Sequence, residues 1–135
     1  MDTNQEEAFV HAFIVPDKRE RYLQILASPR RREKVLRLLY HSLDLIPART
    51  TSIANRDHGI EPVEKLLRSK GAGSMCYLIS PERELDQKEM ALREALETLI
   101  TQDGVAIVCC LPGRLAYYKA ELSQYVLEHL PSEAS

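Results

Sequence analysis

A chain of 135 residues with 44% hydrophobic and 28% charged residues has the size and balance of one folded domain, which excludes disordered, collagen-like and highly charged classes. No apolar run approaches the roughly 20 residues that cross a bilayer, and the N-terminal MDTNQEEAF is acidic where a signal peptide is basic and then apolar, so the chain reads as cytoplasmic, with no membrane partner. The net charge of −2 conceals a segment, residues 17–37, with eight Lys or Arg against three acids, a basic stretch in an otherwise acidic chain that limits non-specific attraction to polyanions while permitting a local anion site.

In chain order, residues 1–6 predict a frayed end. EAFVHAFIV (Glu7–Val15) is rich in β-branched and aromatic residues and stops at Pro16, which predicts a buried first strand. Helical spacing follows from Asp17 to Ala27, with Tyr22, Leu23, Ile25 and Leu26 on a narrow apolar side. Ser28 and Pro29 have the residue types of a helix cap and first helical position, so a second helix is expected from there, with Val35, Leu36, Leu39, Leu43 and Ile46 on one face and Pro47 at its end. Residues 49–54 predict a short strand, and Asn55 to Gly59 a polar loop.

Pro62 opens a further expected helix, with Val63, Leu66 and Leu67 apolar and Gly71 closing it. MCYLI (Met75–Ile79) predicts a strand. Asp86 and Glu89 have the spacing of a capping box ahead of an amphipathic helix that carries Met90, Leu92, Ala95, Leu96, Leu99 and Ile100 up to Gly104. VAIVCC (Val105–Cys110) is a continuous apolar run suited to a sheet centre, and Leu-Pro-Gly-Arg (Leu111–Arg114) is a turn that returns the chain as a strand over Leu115–Lys119. A last helix is expected over Glu121–Leu130, then a frayed tail over 131–135. The expected order, β-α-α-β-α-β-α-β-β-α, predicts a single α/β domain over residues 1–135: a mixed, mostly parallel sheet of about five strands, covered by helices, with an antiparallel hairpin at the C-terminal end.

Three stretches, FVHAFIVPDKRERYLQILASPRRREKVLRLLYH, CYLISPERELD and CLPGRLAYYKAE, resemble a family of small uncharacterised bacterial α/β proteins with a C-terminal PGRLAYY-type motif, here Pro112 to Tyr118. The resemblance spans about three-quarters of the chain, implies an α/β fold and brings no assigned activity. It departs at Gln87, where the family has glycine, and near Lys119, where it has an acidic residue.

Arg30, Lys34, Arg37 and His41 fall on one stripe of the expected second helix, and Arg30, Arg31 and Arg32 crowd its start. Cations there oppose the helix dipole, and a bound phosphate or carboxylate would offset that cost. The preferred expectation is therefore a non-catalytic binding or regulatory module that recognises an anionic small molecule or an acidic protein surface through Arg30, Arg31, Lys34, Arg37 and His41. Nucleic acid is disfavoured, because Tyr22 and Tyr40 are the only aromatics near the arginines.

The first alternative is a small enzyme. If the strands run parallel, the loops after them share a rim, which would gather His58, Ser80, Cys110 and Arg114, with Asp57 and Asp86 nearby. The second is a homo-oligomer that pairs through Tyr117 and Tyr118 on an edge strand. No nucleotide, hydrolase or metalloprotease motif is present, the histidines are scattered, and Cys76, Cys109 and Cys110 form no Cys-x-x-Cys pair. No cofactor and no metal are expected, and the thiols read as reduced and buried.

Overall fold

The computed structural model describes residues 3–42, 44–102 and 104–129; the side chains of Thr3, His41 and Ser42 lie outside the described set. The first described element is a helix, α1 (Thr3–Phe13), where a strand was expected over 7–15; residues 1–2 of the expected frayed end and the tail over 131–135 lie outside the described residues. Glu6, Phe9, Val10 and Phe13 are buried and recur at helical spacing, while Asn4, Glu7 and His11 face out. That period of 3.6 outweighs the strand-like composition. Only Ile14 makes a strand-type bridge, to Leu45.

Next come α2 (Arg19–Leu26) and α3 (Lys34–Ser42). The second helix thus starts five residues after Pro29. Residues 29–33 are turns, in which the amides of Arg31 and Arg32 both donate to the Ser28 carbonyl. The remaining elements are β1 (Thr50–Ser52), α4 (Ile60–Ser69), β2 (Met75–Ile79), β3 (Glu89–Ala91), α5 (Leu92–Thr101), β4 (Ala106–Leu111), β5 (Leu115–Lys119) and β6 (Gln124–Glu128). Residues 124–128 are therefore a strand, where a helix was expected over 121–130.

The strands form one six-stranded sheet in the order β1-β6-β5-β4-β2-β3. Every neighbouring pair is antiparallel, which overturns the mostly parallel sheet. The reason lies in β3, a three-residue strand with little local signal. It turns back along β2, pairing Tyr77 with Glu89, before α5 crosses to β4 on the other side of β2. The crossover helices do join strands of like direction, β3 to β4 and β1 to β2, but an oppositely directed strand always lies between. The β4–β5 turn is as expected: the Arg114 amide donates to the Leu111 carbonyl and Gly113 takes the positive φ of 69° that glycine permits.

Helices cover both faces. Toward α1, α2 and α3 the sheet presents Tyr77, Ile79, Ile107, Cys109, Ala116, Tyr118 and Leu127 to Phe9, Phe13, Tyr22 and Leu39. Toward α4 and α5 it presents Cys76, Leu78, Val108, Cys110, Tyr117 and Val126 to Val63, Leu67, Leu92, Leu96 and Leu99. The alternation along β4 and β5 places successive residues on opposite faces.

Candidate functional site

The segment 29–33 is fixed by Arg32, which in the sequence is one of three crowded arginines with nothing local to set it apart. Its side chain is buried, and all five guanidinium hydrogens find acceptors. Nη1 and Nη2 grip Glu6 at 2.8 and 2.6 Å, Nε and Nη2 grip Asp86 at 2.8 and 3.1 Å, and Nη1 also donates to the Leu26 carbonyl at 2.7 Å. The Tyr77 hydroxyl donates to Glu6 at 2.6 Å, and the Ser80 amide donates to Asp86 at 3.1 Å. Burial alone would favour loss of the Arg32 proton, but the hydrogen bonds to Glu6 and then Asp86 outweigh it and raise the pKa. Tyr77 is likewise held neutral, first by burial and then by its bond to Glu6. This knot ties α1, the start of α3, β2 and the loop after β2 together.

Two of those tied elements, α3 with its start and the loop after β2, help wall a cavity of about 360 Å³, at the small end of the ~300–1,000 Å³ usual for ligand pockets. Leu36 and Arg37 of α3 form one side, with Glu33 and Tyr40 beside them. Pro81 after β2, Val105 before β4, Tyr118 of β5 and Ala120 and Glu121 after it complete the lining. The rim where β2 and β5 end and β4 begins therefore does carry a cavity. Arg37, Glu33 and Glu121 are exposed there and form no ion pair among the described residues. Tyr118 is 3% exposed, stacks on Tyr125 at 5.7 Å between centroids, and its buried hydroxyl has no hydrogen-bond partner among the described residues. Burial, then the proximity of Tyr125 and Tyr40, pushes that hydroxyl up to about 12.

A larger, more open trough of about 1240 Å³ runs between β1 and α4. Its charges are mostly compensated: Glu64 pairs with Arg68 and Arg93, and Lys70 with Glu128. It leaves less unsatisfied chemistry for a ligand than the cavity under α3.

Of the residues expected to bind anions, Arg37 lines the cavity. Arg30, Arg31 and Lys34 are exposed outside it, and Arg30 and Arg31 stand on a turn and not in a first helical turn. The His41 side chain lies outside the described residues. The enzyme candidates are dispersed, because antiparallel strands send consecutive loops to opposite rims. Arg114 and Cys110 lie at the end of the sheet opposite Ser80. His58 sits by β6, where the Gln124 amide donates to its carbonyl, three strand spacings or about 14 Å from β2.

None of His58, Ser80, Cys110 and Arg114 lines either cavity. His58 Nε2 contacts the Ile53 carbonyl at 2.8 Å, and Ser80 Oγ accepts the Glu82 amide, so both do local turn work. Burial pushes the Cys110 thiol up to about 12, the reverse of what a nucleophile needs. Asp86 caps no helix, since α5 begins at Leu92; its carboxylate serves Arg32 and the Ser80 amide. Strand β5 lies between β4 and β6, so Tyr117 and Tyr118 offer no free edge for pairing with a second copy.

Compared with protein-family models, curated proteins and solved structures, the chain matches none. The resemblance carried by the PGRLAYY-type run thus rests on that run and its two companion stretches. Among the described residues no helix is long and apolar enough to cross a membrane.

Proposed function

We propose that the chain is a cytoplasmic binding module for a small molecule bearing an anionic group, which Arg37 holds at the mouth of the cavity under α3. The observation that supports this reading is the pairing of a preformed cavity with a guanidinium that has no ion pair among the described residues. An arginine fork offers a carboxylate or phosphate two parallel hydrogen bonds. Leu36, Val105 and Pro81 give the rest of the ligand an apolar seat. Arg30, Arg31 and Lys34, exposed nearby in sequence, add positive potential that favours the approach of anions. Three buried free cysteines suit a reducing compartment.

The test is a titration of isotope-labelled protein with 3-phenylpropionate and with inorganic phosphate, followed by amide shifts. The expected result is saturable shifts at Leu36, Arg37, Val105 and Ala120 for at least one probe. Arg37→Ala weakens binding about tenfold or more, the loss of one charge-assisted contact, and Arg30→Ala changes it little. Shifts that ignore Arg37→Ala, or that centre on the β1–α4 trough, would overturn the proposal.

A further inference from the structure

The same cavity is not built for an anion alone, and this second step rests on the reading just given. Its charged lining is one arginine and two glutamates, Glu33 and Glu121, so beside the place for an anionic group the mouth offers two acids that favour a cationic one. Neither glutamate forms an ion pair among the described residues. Two aromatic rings, Tyr40 and Tyr118, line the same space. Aromatic faces and carboxylates together favour an ammonium group, the rings through their electron-rich faces and the acids through charge.

We infer that the cavity recognises an amphoteric ligand of the amino-acid type: a carboxylate on Arg37, an ammonium between Glu33, Glu121 and the tyrosine rings, and an apolar side chain against Leu36 and Val105. Opposite charges on one small molecule satisfy both kinds of unpaired group at once. A polyanion satisfies one and is repelled by the other. The volume of about 360 Å³ suits a free amino acid or a close derivative and not a folded protein segment.

Three matched probes separate the possibilities: phenylalanine, 3-phenylpropionate, which lacks the ammonium, and phenethylamine, which lacks the carboxylate. Calorimetry and amide shifts are expected to show phenylalanine binding at least tenfold more tightly than either. The double variant Glu33→Gln/Glu121→Gln, two exposed substitutions that leave the core untouched, is expected to erase the advantage of phenylalanine over 3-phenylpropionate while Arg37-dependent binding of the carboxylate persists. If 3-phenylpropionate binds as tightly as phenylalanine and the double variant changes neither, the amphoteric ligand is refuted while the anion site stands. If none of the three shifts the cavity residues, in a protein whose spectrum shows it folded, both readings fall. Binding of phenethylamine alone, indifferent to Arg37→Ala, also overturns both, since the carboxylate would then have no role.

Discussion

The two faces of the sheet are covered by helices in different ways. Under α4 and α5 the contact is almost wholly apolar, and the buried Tyr117 hydroxyl donates to Gln124 at 2.6 Å. Under α1, α2 and α3 the core is threaded with polar groups: Arg32 with Glu6 and Asp86, Tyr77 with Glu6, and Tyr22 with Asp44 at 2.8 Å. The first face needs only amphipathic helices of adequate length. The second needs partners far apart in sequence to arrive together, Arg32 and Asp86 being 54 residues apart and Tyr77 and Glu6 71. That demand fixes the α3 start and the loop after β2 with respect to each other, and the cavity lies between them.

The sharpest way to break this contrast is Arg32→Ala. It strands two buried or partly buried carboxylates, and removing one member of a buried ion cluster costs about 3–5 kcal/mol. Urea unfolding should show that loss, together with weakened ligand binding, because the cavity walls are no longer tied. Leu96→Ala on the other face should cost a similar ~2–5 kcal/mol through loss of packing, yet leave binding by the folded protein unchanged. Equal effects of the two substitutions on binding would remove the distinction between the faces.

Alkaline pH draws on both faces next. Burial holds the Cys76 and Cys110 thiols at about 12 against an ordinary 9.0, and Tyr118 at about 12 against 10.0. In each case the unfolded chain loses its proton first. Stability is therefore fully present below the ordinary value and falls as pH rises through the window up to about 12, by about 1.4 kcal/mol per unit and per group. Loss should begin near pH 9 from the buried thiols, Cys109 on the α1–α3 face included, and steepen above 10 as the buried tyrosines Tyr22, Tyr77, Tyr117 and Tyr118 join from both faces. In urea midpoints measured from pH 8 to 11, Cys110→Ala should flatten the first part of the decline and Tyr118→Phe the second.

At neutral pH Tyr118→Phe should have the opposite sign to most core substitutions. It removes a buried hydroxyl without a partner and keeps the ring, so stability should rise by about 1 kcal/mol. A thermal unfolding midpoint that falls would mean the hydroxyl is satisfied after all. Tyr117→Phe, on the other face, breaks a made bond to Gln124 and should lower stability.

How far these features could be read from residues alone follows the same division. The strands β2 and β4 were legible because MCYLI and VAIVCC are continuous apolar runs, and the Pro-Gly turn declares itself, whereas their antiparallel pairing was not. In the helix α1 the spacing of Glu6, Phe9, Val10 and Phe13 was the informative signal, but the β-branched and aromatic composition concealed it. Strand β6 reads either way: Leu122, Tyr125, Val126 and His129 have helical spacing, while Gln124 and Val126 alternate with Tyr125 and Leu127. Pairing with β5 decides the matter, and that is a tertiary fact. At the site, Arg37 was legible as a cation on a helix face. Nothing local separates Arg32 from Arg30 and Arg31, since its partners lie elsewhere in the chain. Glu33 and Glu121 join the site only through the fold.

The smallest effect concerns the loop that carries Asp86 to Arg32. Gln87 has a φ of 66°, the only positive value among the described non-glycine residues, and its buried side-chain amide nitrogen makes no well-formed hydrogen bond among them. A side chain in that left-handed region crowds its own carbonyl, a cost of roughly 1–2 kcal/mol that glycine avoids, while glycine gives back part of the gain through a freer unfolded chain. Gln87→Gly should therefore stabilise by about 0.5–1 kcal/mol, visible as a small rise in the urea midpoint with an unchanged slope. Gln87→Ala keeps the crowding and removes the buried amide, so it separates the two causes: a gain with glycine alone places the strain in the backbone, whereas equal gains place it in the buried amide. Because the Gln87 amide donates to the Leu78 carbonyl at 2.8 Å, the loop's own anchor survives both substitutions. Asp86 therefore stays in reach of Arg32, and ligand binding should be unaffected by either change.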